Sequence, residues 1–178
     1  MVIEQTLNTT QLTGVVAFLA TAAACGLLGL RAQGRHGSSP RLWRLVALLH
    51  LVFAAEVVFG ARHAVHDMVN AVLRDNGLYP VRAVMQAGLL VLCGLCITLG
   101  LMAAQRWLRA LPPLTPYGRR AVFATMVVGA LFMVEAVSLH GIDQVLYASV
   151  GPVRAIAYLW VCMALVTLAS AWAEIYKK

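Results

Sequence analysis

Long apolar runs alternate with short polar segments rich in proline and glycine along this chain. The runs cover about 12–30, 45–61, 83–105, 121–139 and 155–173. At 1.5 Å of rise per residue, each is long enough, or nearly so, to cross about 30 Å of hydrocarbon as a helix. Apolar positions fill whole blocks instead of single stripes, the pattern of helices whose solvent is lipid. Turn signals part the blocks: Gly34 to Pro40, Asn76-Gly77 with Pro80, Pro112-Pro113 with Pro116, and Gly151-Pro152. Pro80 and Pro152 are expected in the first turns of the third and fifth helices, where a missing N–H costs nothing. The second run is short, and its helix is expected to continue through Arg62 to Leu73. The pattern predicts an all-α integral membrane protein, residues 1–178 forming a single domain of five transmembrane helices.

Composition sharpens this reading. At 61% hydrophobic and 12% charged residues, the chain lacks the polar surface a soluble domain of its size requires. The net charge of +7 does not point to nucleic acid, because the basic residues sit in short loops between apolar runs, where they fix topology. Arg31, Arg35, Arg41 and Arg44 share one loop, Arg106, Arg109, Arg119 and Arg120 another, and Lys177 and Lys178 end the tail. The opposite side holds Arg62, Arg74, Arg82 and Arg154 mixed with Glu4, Asp67, Asp75 and Asp143. Ten basic residues against four place the acid-poor side in the cytoplasm, the N-terminus outside and the C-terminus inside, in a plasma (inner) membrane. Trp43, Trp107, Trp172 and Tyr176 are expected at the inner interface, Tyr79 and Tyr147 at the outer one. Residues before Gly14 include Glu4 and no Lys or Arg, so the first run is expected to be a retained anchor and not a cleaved signal. Cys25, Cys93, Cys96 and Cys162 all fall inside apolar runs, as small packing residues do.

An internal repeat runs through the pattern. Pro80-Val81-Arg82-Ala83-Val84 opens the third run and Pro152-Val153-Arg154-Ala155-Ile156 the fifth. Phe53-Ala54-Ala55-Glu56 on the second parallels Phe132-Met133-Val134-Glu135 on the fourth, and His63 or His140 follows. Residues 42–106 and 118–174 are therefore expected to be two parallel helical-hairpin repeats about an axis along the membrane normal, with one extra N-terminal helix.

Ionisable groups in lipid are costly and usually face the bundle interior. On one continuous helix Glu56, His63 and Asp67 would fall within roughly 40°, with His66 nearby. His140 and Asp143 form the matching stripe, with Glu135 to one side. Two ligands three residues apart share a helix face, as in inward-facing metal sites of bundles. The candidate site is thus His63 and His140 as symmetry-matched ligands of a haem b, or a metal held with Glu56, His66, Asp67, Glu135 and Asp143. The plainer alternative is that the acids neutralise Arg82 and Arg154 as ion pairs within each hairpin. His50 stands about 120° from Glu56 and is expected to be a packing residue.

No phosphate-binding glycine loop, nucleophile elbow or His-Glu-x-x-His motif occurs, and no soluble domain houses a cleft, so a stand-alone enzyme is not expected. The reading is a small accessory integral-membrane subunit of a larger redox complex, its partners the lipid bilayer and other membrane subunits, with no nucleic acid. Gly88, Gly94 and Gly100 in the third run would suit helix–helix assembly. The alternative reading is a small proton-coupled transporter or channel using Glu56 and Glu135.

Overall fold

A computed structural model describes residues 7–31, 39–77, 82–109, 114–137 and 144–176. Six helices account for nearly all of them: α1 (Thr9–Arg31), α2 (Pro40–Phe59), α3 (Ala61–Asp75), α4 (Arg82–Arg109), α5 (Pro116–Val137) and α6 (Ala155–Tyr176). A two-residue hairpin, β1 (Ser149–Val150) and β2 (Val153–Arg154), immediately precedes α6. Four of these helices, α1, α2, α5 and α6, are long and apolar enough to cross a membrane. The chain is an all-α, multi-pass membrane protein whose apolar helices suit a lipid bilayer.

Local chemistry starts the helices. Asn8 and Gln11 cap α1 reciprocally, Asn8 N–H donating to Gln11 Oε1 at 3.0 Å and Gln11 N–H to Asn8 Oδ1 at 2.8 Å. Ser39 caps α2, accepting the Arg41 N–H at 3.3 Å, with Pro40 at the first helical position. Thr115 caps α5 by accepting the Gly118 N–H at 3.0 Å, while its own hydroxyl donates to Glu174 Oε2 on α6 at 2.6 Å. That carboxylate thereby sits at the positive end of the α5 dipole.

The four spans close into a ring in the order α1, α2, α5, α6, with α3 and α4 laid against α5. Two apolar clusters fill it. At the end carrying Arg31, Arg41, Arg44, Arg119 and Arg120, here the basic end, Cys25, Leu28, Trp43, Val46, Ala47, Ala121 and Ala171 pack together. Toward the opposite end, Phe18, Phe53, Phe132 and Trp160 bring one ring from each span into a single cluster. Neighbouring centroids in this layer lie 5.3–6.0 Å apart, and Phe53 stacks on Phe132 at 5.3 Å and 28°. At the basic end α1 and α2 approach so closely that a Cβ on Gly29 would lie 3.1 Å from Arg44 N and 3.2 Å from Pro40 O.

Several expectations need correction. The second span is a full 20 residues because its helix begins at Pro40. It does not continue unbroken to Leu73: Gly60 adopts the left-handed conformation (φ 62°, ψ 35°), ends α2 and restarts the chain as α3. A glycine enters that region without steric cost and so can redirect a helix that sequence periodicity reads as continuous. Pro152 is not in a first helical turn. Gly151-Pro152 forms the turn of the hairpin, which pairs Ser149 with Arg154 and Val150 with Val153, and α6 starts at Ala155. The hairpin is tied down by Tyr158 Oη donating to Val150 O at 2.9 Å and Arg154 N–H donating to Thr10 Oγ1 at 3.1 Å. Pro80 lies outside the described residues, and α4 starts at Arg82. Trp43, expected at an interface, is fully buried; Trp172 and Tyr176 are exposed and in ring contact at 4.9 Å. Trp107 lies on α4, and Tyr79 is outside the described residues.

Candidate functional site

The stacked pair Phe53 and Phe132 locates the candidate carboxylates. Trp43 and Ala121, near the starts of α2 and α5, both belong to the basic-end cluster, and Phe53 meets Phe132 farther along. The two helices therefore run in the same direction. Glu56 and Glu135 each follow the stacked ring by three residues, nearly one helical turn, and so stand at a common depth beyond the aromatic layer. Glu135 is only 3% exposed, and Glu56 is half-buried. The Glu56 carbonyl accepts the Gly60 N–H at 2.7 Å, which places this carboxylate in the last turn of α2, beside the redirecting glycine. Gln11 Nε2 donates to the neighbouring Val57 O at 3.5 Å, fastening the start of α1 to the same turn.

The remaining candidates fall around this pair unevenly. His63, His66 and Asp67 belong to α3, beyond the Gly60 break, so they do not extend the α2 face on which Glu56 lies. Asp67 is exposed. His140 and Asp143 lie outside the described residues, in the segment joining α5 to the hairpin. Arg82 is the first residue of α4. Arg154 lies in β2, exposed, with its guanidinium carbon 5.2 Å from the Tyr147 ring centroid, a cation–π contact. Among the described residues no three His, Cys, Asp or Glu side chains gather as a metal site.

His50 is packed as expected and more deeply. It is 0% exposed, edge-on to Phe18 at 5.9 Å and to Phe53 at 5.6 Å. Its Nδ1 lies 2.9 Å from Val46 O, and because a carbonyl can only accept, Nδ1 carries a proton there. Nε2 makes no hydrogen bond among the described residues. Buried hydroxyls on the other three spans are self-satisfied: Thr21, Thr125 and Thr167 each donate to a carbonyl one turn back, at 2.8, 2.8 and 3.0 Å.

Sequence reasoning missed the aromatic layer, which forms the floor of the site. Two of its rings, Phe53 and Phe132, did stand in the segments compared as a repeat, and their matched spacing to Glu56 and Glu135 was the available signal. The glycines of α4 also read differently. Gly88, Gly94 and Gly100 are six residues apart, so they fall about 240° from one another around the helix and form no single face. A Cβ on any of them would meet nothing within 4 Å. Chemically, the arrangement offers two carboxylates over an apolar floor, with imidazole-bearing α3 laid against α5 nearby. No protein-family model matches the chain, and no curated protein or solved structure matches it either.

Proposed function

We propose that this chain is a small accessory subunit of a larger redox membrane complex, built of two parallel hairpin repeats plus α1. It binds a metal ion, or a haem b, between α2, α3 and α5. In this reading α4, a 28-residue helix, is the fifth span, the basic end is cytoplasmic, and the protein resides in the plasma (inner) membrane. One observation carries the proposal: equivalent phenylalanines of the two repeats, Phe53 and Phe132, stack on each other. Packing of equivalent positions on parallel helices is what a two-fold axis along the membrane normal produces, and it delivers Glu56 and Glu135 to one depth. A carboxylate buried in lipid is retained at a cost of several kcal/mol unless paired or coordinated. Joined by the imidazoles of His63, His66 and His140 and by Asp143, these two carboxylates would make a ligand set for a divalent metal, with Asp67, exposed in the structure, left outside it. His63 and His140 alone would serve as axial ligands of a haem.

The transporter reading uses the same two carboxylates and is favoured by the burial of Glu135. The aromatic layer weighs against it, since rings from α1, α2, α5 and α6 meet beneath the carboxylates. A carrier would have to displace that layer to reach the basic end. An absorption spectrum of the detergent-purified protein, with metal analysis on the same sample, tests the proposal. The expected result is stoichiometric metal or a haem Soret band, lost in both His63→Ala and His140→Ala and kept in His50→Ala. Purified protein carrying neither would overturn the ligand reading and leave the ion-pair role of Glu56, Glu135, Arg82 and Arg154.

A further inference from the structure

Helix α3 has a strongly two-sided sequence that the bundle uses only in part. Ala61, Ala64, Val65, Met68, Val69, Val72 and Leu73 recur at the three- and four-residue spacing of one helix face, and His63, His66, Asp67, Asn70 and Arg74 occupy the other. Arg62 and Asp75 fall on the apolar side, but at the two ends of the helix, where a charged group reaches water most easily. Leu73 is buried at 5% exposure, the anchor at one edge of the apolar face. The rest of the described face is open: Met68 is 61% exposed, Val72 54%, and Ala61 and Ala64 are exposed with them. This open stripe begins one residue after Gly60 and follows directly on Phe59, which at 79% exposure ends the outward face of α2.

Position along the chain decides what covers the stripe. The 20 residues of α2 rise about 30 Å, the full depth of the hydrocarbon. The chain therefore reaches Gly60 at the membrane–water boundary. Helix α3 is too polar to re-enter the hydrocarbon, and if it stood upright in water it would leave Met68 and Val72 solvated for no gain. A left-handed glycine at the boundary allows the helix to lie over, so that a face continuous with the lipid-facing surface of α2 stays in lipid. We infer that α3 is an interfacial helix whose Ala61–Ala64–Met68–Val72 face lies in the headgroup–acyl boundary of the leaflet at that end, with Asp67 and Arg74 turned to water. Helices of this kind bury an apolar face about 5–10 Å into that boundary. The inference rests on α2 being a span and is independent of any metal or haem.

The experiment uses the full chain in lipid nanodiscs, with the four native cysteines replaced by alanine. Single cysteines Met68→Cys, Val72→Cys, Asp67→Cys and Arg74→Cys each carry an environment-sensitive fluorophore. Labels at 68 and 72 are expected to lose at least half their emission to lipids spin-labelled near the headgroup and little to aqueous iodide. Labels at 67 and 74 should show the reverse. Ala64→Cys, on the same face, supplies the reading should either apolar variant fail to assemble. Iodide access at 68 and 72 equal to that at 67 would overturn the inference by placing the face in water. Protection of 68 and 72 from both quenchers would also overturn it, because the face would then be covered by protein.

Discussion

At the scale of single residues, burial separates the two carboxylates that the proposed repeat would make equivalent. Glu135 is 3% exposed whereas Glu56 is half-buried, so loss of the charge should be felt unequally. Removing one member of a buried charged or coordinated set strands the rest, at about 3–5 kcal/mol, while a partly solvated partner can rehydrate. Glu135→Gln is therefore expected to lower the thermal midpoint of the detergent-solubilised protein, or its yield, clearly more than Glu56→Gln. Equal effects would mean that the two acids share one environment. His50 gives the opposite expectation. Its Nε2 is buried without a hydrogen bond among the described residues, and an unsatisfied polar atom costs about 1–3 kcal/mol. His50→Phe fits the aromatic surroundings of Phe18 and Phe53 and removes that atom, so stability should stay within about 1 kcal/mol or rise. A large loss would show that Nε2 holds something the fold needs. Sequence alone placed both glutamates on spans and set His50 apart from them, because charge in an apolar run is conspicuous. Their relative burial depends on which helices surround them, and that is a tertiary fact.

At the scale of helices, length and turn chemistry were legible and internal breaks were not. Lipid imposes a minimum run of apolar residues, so α1, α2, α5 and α6 announce themselves. Gly60 interrupts a pattern whose period is the same on both sides, and a lone glycine in such a pattern reads as tolerated. The hairpin before α6 was hidden for a related reason. Pro152 suits a helix start, yet the β-branched Val150 and Val153 flanking Gly151-Pro152 close a two-strand turn instead. The tightest helix pairing is that of α1 with α2 at Gly29. A methyl there would press within 3.1–3.2 Å of backbone atoms at Arg44 and Pro40, which cannot swing aside as a side chain can. Gly29→Ala is expected to destabilise by about 1–3 kcal/mol, the usual range for overpacking. Gly88→Ala on α4, where a Cβ meets nothing, is the control. Comparable losses in the two variants would mean that α1 and α2 sit farther apart than the structure has them.

At the scale of the molecule, the aromatic layer shows what a single sequence withholds. Phe18 and Trp160 lie far apart in the chain yet their centroids are 6.0 Å apart, and no periodicity links positions on different spans. Charge asymmetry, by contrast, acts on the whole chain at once, so orientation can be argued from sequence and tested directly. Five spans with α4 among them require Asn76 and Ser149 on one side and Arg41, Arg106 and Arg119 on the other, and all five positions are exposed. In a background without the native cysteines, Asn76→Cys and Ser149→Cys should react with a membrane-impermeant maleimide added to intact cells. Arg41→Cys, Arg106→Cys and Arg119→Cys should react only after the membrane is opened. Arg106 is the decisive position because it lies near the far end of α4. If Arg106→Cys labels with Asn76→Cys from outside while Arg119→Cys does not, α4 fails to cross and the hairpin repeat has no first returning helix. If the whole pattern is inverted, the spans stand but the basic loops face outward, and Glu56, Glu135 and α3 move to the cytoplasmic face. A site there would bind its ligand from the cytoplasm, which is a different protein from the outward-facing subunit proposed above.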